Sequence, residues 1–235
     1  FSCYTFPMSE FGSIAVAMGG GFLPALLWVW FWLREDRAHP EPRQLIALAF
    51  LVGMIAVAVV IPIQKSVAAF VVGTTLTFIV WSFIEEIVKA ALAGIVILWR
   101  RDVDEPIDMV IYMVLVALGF AAAENALFLV SPLAGDGVVA NLMTGNLRFI
   151  GATLLHTLSS AAVGVCLALS FYKPKHVRRM AAFFGVILAA SLHSLFNFLI
   201  LNTPSEHIFR TFALVWVGVL ALLGAIEIVK RIHHR

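Results

Sequence analysis

The sequence contains few charged residues. Of its 235 residues, 13% are charged and 62% are hydrophobic, and the mean hydropathy is +0.99. A typical soluble domain is about half apolar and about a quarter charged. A chain this apolar cannot cover its own surface with polar groups in water. The composition therefore excludes a water-soluble globular domain.

Cysteine and excess charge of one sign are also scarce. The two cysteines, Cys3 and Cys166, lie far apart in the chain, which excludes a disulfide scaffold. The formal net charge is +2 and the sequence has no block of like charges, which excludes a nucleic-acid binder and a disordered tail. Long apolar runs, rather than alternating ten-residue strands, exclude an outer-membrane barrel. A polytopic α-helical membrane protein remains.

Seven apolar runs are long enough to cross a membrane, since a hydrocarbon core about 30 Å thick requires about 20 helical residues. We predict an all-α transmembrane bundle of about seven spans in a single domain, residues 1–235. The third run exceeds one crossing, and we expect its first half to be tilted or bent near Gly73, Thr74 and Thr75. Pro62 falls at the end of the second run, whereas Pro24 lies within the first run and predicts a kink. The run limits are 11–33, 45–63, 67–99, 107–131, 149–171, 180–201 and 208–229.

Basic residues predict the orientation, because cytoplasmic loops carry an excess of lysine and arginine. With the N-terminus outside, the outer side carries Lys65, Arg148 and Arg210, and Lys89 lies within a span. The inner connections then hold the other 12 of the 16 basic residues, which are Arg34, Arg37, Arg43, Arg100, Arg101, Lys173, Lys175, Arg178, Arg179, Lys230, Arg231 and Arg235. The sequence therefore predicts a multi-pass protein of the cell membrane, with its C-terminus in the cytoplasm.

Four ionisable residues lie where a span should be apolar: Glu85, Glu86, Lys89 and Glu124. Each costs about 2.5–3.5 kcal/mol at mid-bilayer on insertion scales, so a function is expected to compensate. Glu85 and Lys89 have the i,i+4 spacing of a favourable helical ion pair. Adjacent glutamates point about 100° apart around a helix, so pairing one of them with Lys89 leaves the other glutamate for another role.

These acids share their depth with two histidines. Counted from the nearest cytoplasmic charge, Glu85, Glu124, His156 and His193 all lie roughly 21–26 Å from the cytoplasmic boundary. That level is in the outer half of the bilayer. Two imidazoles with spare carboxylates have the composition of a catalytic zinc site. No HExxH motif occurs, so such a site has to be assembled across helices. Asn197 lies one turn after His193, on the same face.

Five segments together resemble the PrsW family of intramembrane metalloproteases, in the clan that includes the CAAX prenyl proteases. A glutamate pair with a following lysine is weak evidence alone, but the combination is far more specific. The matching segments are REDRAHPEP (34–42), FIEEIVKA (83–90), EPIDMVIYMVLVALGFAAAENALF (105–128), a lone His156 followed by Gly164, and LHSLFN (192–197). The resemblance implies a seven- or eight-helix metallopeptidase that cuts single-span membrane proteins, such as anti-sigma factors, near the extracytoplasmic face. Its functional residues would be the paired glutamates and the histidines.

We therefore hypothesise an intramembrane zinc-dependent endopeptidase acting on a transmembrane protein substrate within the lipid bilayer. One zinc ion would be held by His156, His193 and Glu124. Alternatively, Glu124 would not bind the ion itself and would accept a hydrogen bond from one of its ligands. Either Glu85 or Glu86 would be the general base, and Lys89 would neutralise the other glutamate. Asn197 or Asn125 would stabilise the oxyanion.

The variant Glu86→Gln is expected to abolish cleavage while leaving folding intact. The alternative function is a proton- or cation-coupled transporter, since buried Glu, His and Lys residues also form proton relays.

Overall fold

A computed structural model describes residues 10–34, 41–133, 138–202 and 208–232. These residues form seven α-helices joined by short connections. The helices are α1 (Glu10–Trp32), α2 (Arg43–Ala68), α3 (Thr74–Val96), α4 (Pro106–Leu133), α5 (Val138–Leu169), α6 (Lys175–Asn202) and α7 (Ile208–Val229). The predicted all-α bundle of about seven helices is confirmed.

Helix α4 forms the centre of the bundle. A helix that is apolar around its whole circumference is expected to be buried, and 94% of the most apolar window of α4 lies inside the protein. It packs mainly against α5, α1 and α2, while α3 packs mainly against α6 and α2. Helix α6 packs against both α3 and α5, so these three helices lie side by side, and the candidate site is found where they approach α4.

The outer surface of the bundle is apolar and its interior contains the polar groups. Glu86 and Lys89 are fully buried, whereas Leu27, Phe70 and Leu220 are exposed. Among the described residues, the helices long and apolar enough to cross a membrane are α2 and most of α4, α5 and α6. Helices α1 and α7 contribute shorter apolar stretches, and α3 carries the charged residues discussed below. Apolar side chains on the outside and polar groups in the interior suit a protein surrounded by lipid, because the bilayer core has no water to solvate polar groups.

The boundary between the second and third spans differs from the sequence prediction. Helix α2 continues to Ala68 and contains Pro62, which was expected at the end of the second run. Proline is tolerated inside membrane helices because neighbouring groups satisfy the freed carbonyl. The break lies at residues 69–73, and Gly73 has a φ of 97°, a left-handed conformation that favours glycine. The structure therefore has a complete break before α3 at this place, where a tilt or bend within one long run was expected.

Two other helices are longer than predicted. Helix α5 begins at Val138 rather than at residue 149, and α6 begins at Lys175 rather than at residue 180. The predicted starts followed the apolar runs, whereas α5 and α6, with 32 and 28 residues, exceed the roughly 20 residues that one crossing requires. Pro24 lies inside α1, as predicted.

Close contact between α2 and α4 depends on glycine. A Cβ atom added at Gly53 would collide with the backbone carbonyl of Val116, and one added at Gly119 would collide with that of Phe50. Small residues allow helix backbones to approach closely in membranes, where packing rather than water exclusion drives association. These contacts fix α2 against α4 on the side that leads to the candidate site.

Candidate active site

Four helices contribute carboxylate and imidazole groups to one cluster, as the depth estimate predicts. The groups are Glu85 of α3, Glu124 of α4, His156 of α5 and His193 of α6. The two imidazole rings lie 4.9 Å apart, centre to centre, at an angle of 87°. Both histidines are buried. Residues separated by up to 108 positions in sequence thus share one small volume because each helix spans the same membrane depth.

His193 is oriented by Glu86. Its Nδ1 lies 2.9 Å from Oε1 of Glu86, and since a carboxylate accepts hydrogen bonds, the ring donates from Nδ1. The lone pair of Nε2 is left available, and that atom lies 3.8 Å from Oε2 of Glu85. A carboxylate that fixes the tautomer and orientation of an imidazole is the usual support for a metal-binding histidine.

Glu86 is fully buried and both of its carboxylate oxygens are occupied. Lys89 donates to Oε1 at 2.7 Å and Ser159 donates to the same oxygen at 2.9 Å. Ser160 donates to Oε2 at 3.2 Å. Lys89 therefore pairs with Glu86 at i,i+3 spacing rather than with Glu85, the partner that the i,i+4 spacing favoured. Lys89 also lies 3.3 Å from Nδ1 of His156 and packs over the Phe120 ring.

Glu85 differs from its neighbour in having an oxygen without a partner. Its Oε1 accepts a 2.8 Å hydrogen bond from the side-chain amide of Gln64 on α2. Its Oε2 is buried and has no hydrogen-bond partner among the described residues. An unpaired buried carboxylate oxygen is costly, so it indicates a site for a ligand, a water or a proton.

Glu124 lies at the entrance of the cluster. Its Oε2 is 2.9 Å from Nε2 of His156, and its side chain is 40% exposed. The amide of Asn197 donates to Ser82 at 3.1 Å, and that of Asn125 donates to Thr153 at 3.1 Å. Each amide nitrogen carries two protons, so Asn197, which is less buried than Asn125, keeps a second donor for the cavity.

Two cavities meet at Glu85 and Glu124. The first, of about 410 Å³, lies between α2, α3 and α4, and apolar side chains form most of its wall. The second, of about 370 Å³, also contains both histidines, Asn197 and the aromatic residues Phe78, Trp81, Phe128 and Phe196. Together they provide an apolar space in which a peptide segment can reach the polar cluster.

The donor set fits a divalent metal ion. One candidate ligand atom from each of Glu85, His156 and His193 lies within 4.8 Å of the others. Two atoms bound tetrahedrally to one zinc at about 2.0–2.1 Å are about 3.3 Å apart, close to the 2.9 Å between Glu124 and His156. If all three carboxylates ionise beside a protonated Lys89, the cluster carries two excess negative charges, which a divalent cation would balance.

The three residues whose candidate ligand atoms lie within 4.8 Å of one another include Glu85. The ligand set predicted from the sequence contains Glu124 instead. Both carboxylates lie beside a histidine, Glu124 beside His156 and Glu85 beside His193. The assignment of Glu124 as a ligand stays a prediction.

Comparison with known proteins identifies the enzyme class. A sequence model of the PrsW family intramembrane metalloproteases matches residues 41–224. The chain belongs to the PrsW family. It is therefore an intramembrane protease, which means that it is a multi-pass membrane protein that hydrolyses peptide bonds. This finding supports the protease hypothesis over the transporter alternative. Of the segments behind the resemblance, residues 35–40 lie outside the described structure.

Curated relatives of the PrsW family agree with this assignment. Protease PrsW of Clostridioides difficile (strain 630) is 27% identical over 179 residues, 73% of this chain and 74% of the relative. Protease PrsW of Geobacillus kaustophilus (strain HTA426) is 27% identical over 190 residues, 78% of this chain and 79% of the relative. Protease PrsW of Bacillus subtilis (strain 168) is 24% identical over 186 residues. No solved structure matches the chain significantly.

Sequence reasoning missed several residues that contact the cluster. Gln64 was passed over because it lies between the second and third predicted runs, next to Lys65. Ser159 and Ser160 were also passed over, although they follow His156 by about one helical turn. For the two serines the signal was a polar residue close to the expected depth of the site, on the same span as His156.

Proposed function

We propose that this intramembrane protease is a zinc-dependent endopeptidase that cleaves single-span membrane proteins, including anti-sigma-factor-like substrates, near the extracytoplasmic side of the bilayer. The observation that carries the proposal is the pair of buried imidazoles, 4.9 Å apart, flanked by the carboxylates of Glu85 and Glu124. The predicted orientation places this cluster in the outer half of the membrane.

His156, His193 and Glu124 would hold the zinc ion. Bound zinc acts as a Lewis acid and generates a nucleophile from water at neutral pH. Glu86 holds the ring of His193 through Nδ1 and so directs Nε2 toward the site. Lys89 balances the charge of Glu86, and both oxygens of Glu86 already accept hydrogen bonds, which makes this glutamate a poor acceptor for a further proton.

Glu85 is proposed as the general base. A base requires an oxygen that is free to accept a proton close to the reacting water. Oε2 of Glu85 is unpaired and lies beside His193, whereas both oxygens of Glu86 are occupied. Glu85 would take the proton of the attacking water and pass it to the leaving amine, while the second amide proton of Asn197 would bind the developing oxyanion.

The decisive experiment measures zinc and cleavage together. The protein is purified in detergent, and its zinc content is determined by inductively coupled plasma spectrometry. Activity is followed on a single-span substrate reconstituted in proteoliposomes, with the cut site mapped by mass spectrometry. We expect His193→Ala to lose zinc and activity. His176→Ala, an exposed histidine on the same helix, is the matched control and should retain both. Equal zinc in the two variants would remove His193 from the ligand set.

The two flanking carboxylates are separated by the same assay. Glu85→Gln should retain zinc and lose about 10²–10⁴-fold in rate, the usual contribution of a general base. Glu124→Gln should bind zinc more weakly. If Glu85→Gln is the variant that loses zinc, Glu85 is the third ligand and the proposed roles of the two glutamates are wrong.

A further inference from the structure

Gln64 on α2 contacts a catalytic carboxylate from a helix to which no functional residue has been assigned. Residues Val57, Val60, Ile61 and Gln64 line one face of α2 along the first cavity. Their spacing of i, i+3, i+4 and i+7 forms a single helical stripe. Three of the four side chains are apolar, and the exception is the one that reaches Glu85.

The contact selects between the two oxygens of Glu85. The amide nitrogen of Gln64 donates to Oε1 at 2.8 Å. Oε2 has no hydrogen-bond partner in the described structure and lies 3.8 Å from Nε2 of His193. A hydrogen bond on one oxygen restrains rotation of the carboxylate, so the other oxygen is held toward the histidines.

We infer that Gln64 is a positioning residue for the protease reaction, because its amide fixes Oε1 of Glu85 and leaves Oε2 to accept the proton. The inference rests on the proposed role of Glu85 as the base. It also gives α2 a part in the reaction: any displacement of α2 that removes Gln64 from Glu85 releases the carboxylate from its working orientation.

The alternative is that Gln64 acts as a packing contact between helices. Interhelical hydrogen bonds from polar side chains stabilise membrane proteins without any role in chemistry. The two roles differ in what they change. A positioning residue affects the rate of turnover through Glu85, whereas a packing residue affects stability and acts independently of Glu85.

The test uses Gln64→Met, which keeps the length of the side chain and removes its hydrogen-bonding amide. Gln44→Met makes the same chemical change at an exposed position near the other end of α2 and is the matched control. Loss of a hydrogen bond to a charged group is expected to lower kcat about 10–100-fold. KM and zinc content should stay at their wild-type values. The unfolding midpoint should fall, because Oε1 of Glu85 loses its hydrogen-bond partner, and Gln44→Met should behave as wild type.

A double-mutant cycle decides whether the effect passes through Glu85. In the Glu85→Gln background, measured by single-turnover cleavage over long incubations, Gln64→Met should cause no further loss. The inference is overturned if the kcat of Gln64→Met matches that of Gln44→Met, or if Gln64→Met lowers the residual rate of Glu85→Gln by the same factor as it lowers the rate of the wild type. Full activity in Glu85→Gln alone would instead remove the proposed base, a separate result.

Discussion

The buried ion pair of Glu86 and Lys89 predicts how far the free energy of unfolding falls when one charge is removed, and an exposed ion pair in the same protein is the control. Both side chains are 0% exposed and their charged atoms are 2.7 Å apart. In Glu86→Gln, the amide carbonyl can occupy the position of Oε1 and keep the bonds from Lys89, Ser159 and His193. The amide nitrogen then faces Ser160, whose hydroxyl can rotate to accept. The hydrogen-bond pattern survives, and the change removes the negative charge.

The loss of this negative charge determines how far Glu86→Gln lowers the free energy of unfolding. Removing one partner of a buried ion pair leaves an uncompensated charge and costs about 3–5 kcal/mol. We expect Glu86→Gln to lower the free energy of unfolding by that amount and to lower activity through the weakened orientation of His193. This replaces the expectation, drawn from the sequence alone, that the variant leaves folding intact.

An exposed pair of the same spacing is the control. Glu227 and Lys230 on the surface are also i,i+3 and 3.0 Å apart, but their side chains are 60% and 30% exposed. Because exposed pairs contribute about 0–1 kcal/mol, Glu227→Gln should change stability by no more than that. Combining Glu86→Gln with Lys89→Met removes the stranded ammonium and should recover most of the stability while activity stays low.

Unfolding is measured by reversible titration with sodium dodecyl sulfate in mixed micelles, followed by tryptophan fluorescence. The reasoning is refuted if Glu86→Gln and Glu227→Gln lose the same stability. It is also refuted if the added Lys89→Met substitution lowers stability further rather than restoring it, because Lys89 would then contribute through packing rather than through its charge.

Further predictions concern packing and support of the site. Gly119→Ala should destabilise the fold by more than about 1 kcal/mol, because a Cβ there meets the backbone of α2. The control is Gly224→Ala, which has open space around it and should be neutral or slightly stabilising. Thermal unfolding compares the two variants. Ser159→Ala combined with Ser160→Ala should lower kcat while zinc content is retained, since both hydroxyls hold Glu86; unchanged kcat would show that Lys89 and His193 suffice. Asn197→Ala should lower kcat about 10²–10³-fold, the usual effect of losing an oxyanion donor, with KM unchanged; a rise in KM alone would assign Asn197 to substrate binding.

The helices could be predicted from the sequence because apolar run length reports directly on membrane thickness. Their ends were less predictable. Pro62 was taken as a boundary, but it lies inside α2, because a proline in a packed membrane helix does not end it. The start of α5 at Val138 was missed because apolarity defines the part of a helix in lipid and not the part that projects beyond it.

The sequence alone indicated the charged and imidazole groups of the candidate site. These are the polar groups that a span carries only at a cost: Glu85, Glu86, Lys89, Glu124, His156 and His193. Helical rise places Glu85, Glu124, His156 and His193 at one depth. Rotation about each helix axis and lateral packing are set by contacts between helices that are distant in sequence. The tertiary structure therefore decided that Lys89 pairs with Glu86, that Glu86 orients His193, and that Glu85 keeps a free oxygen with Gln64 beside it.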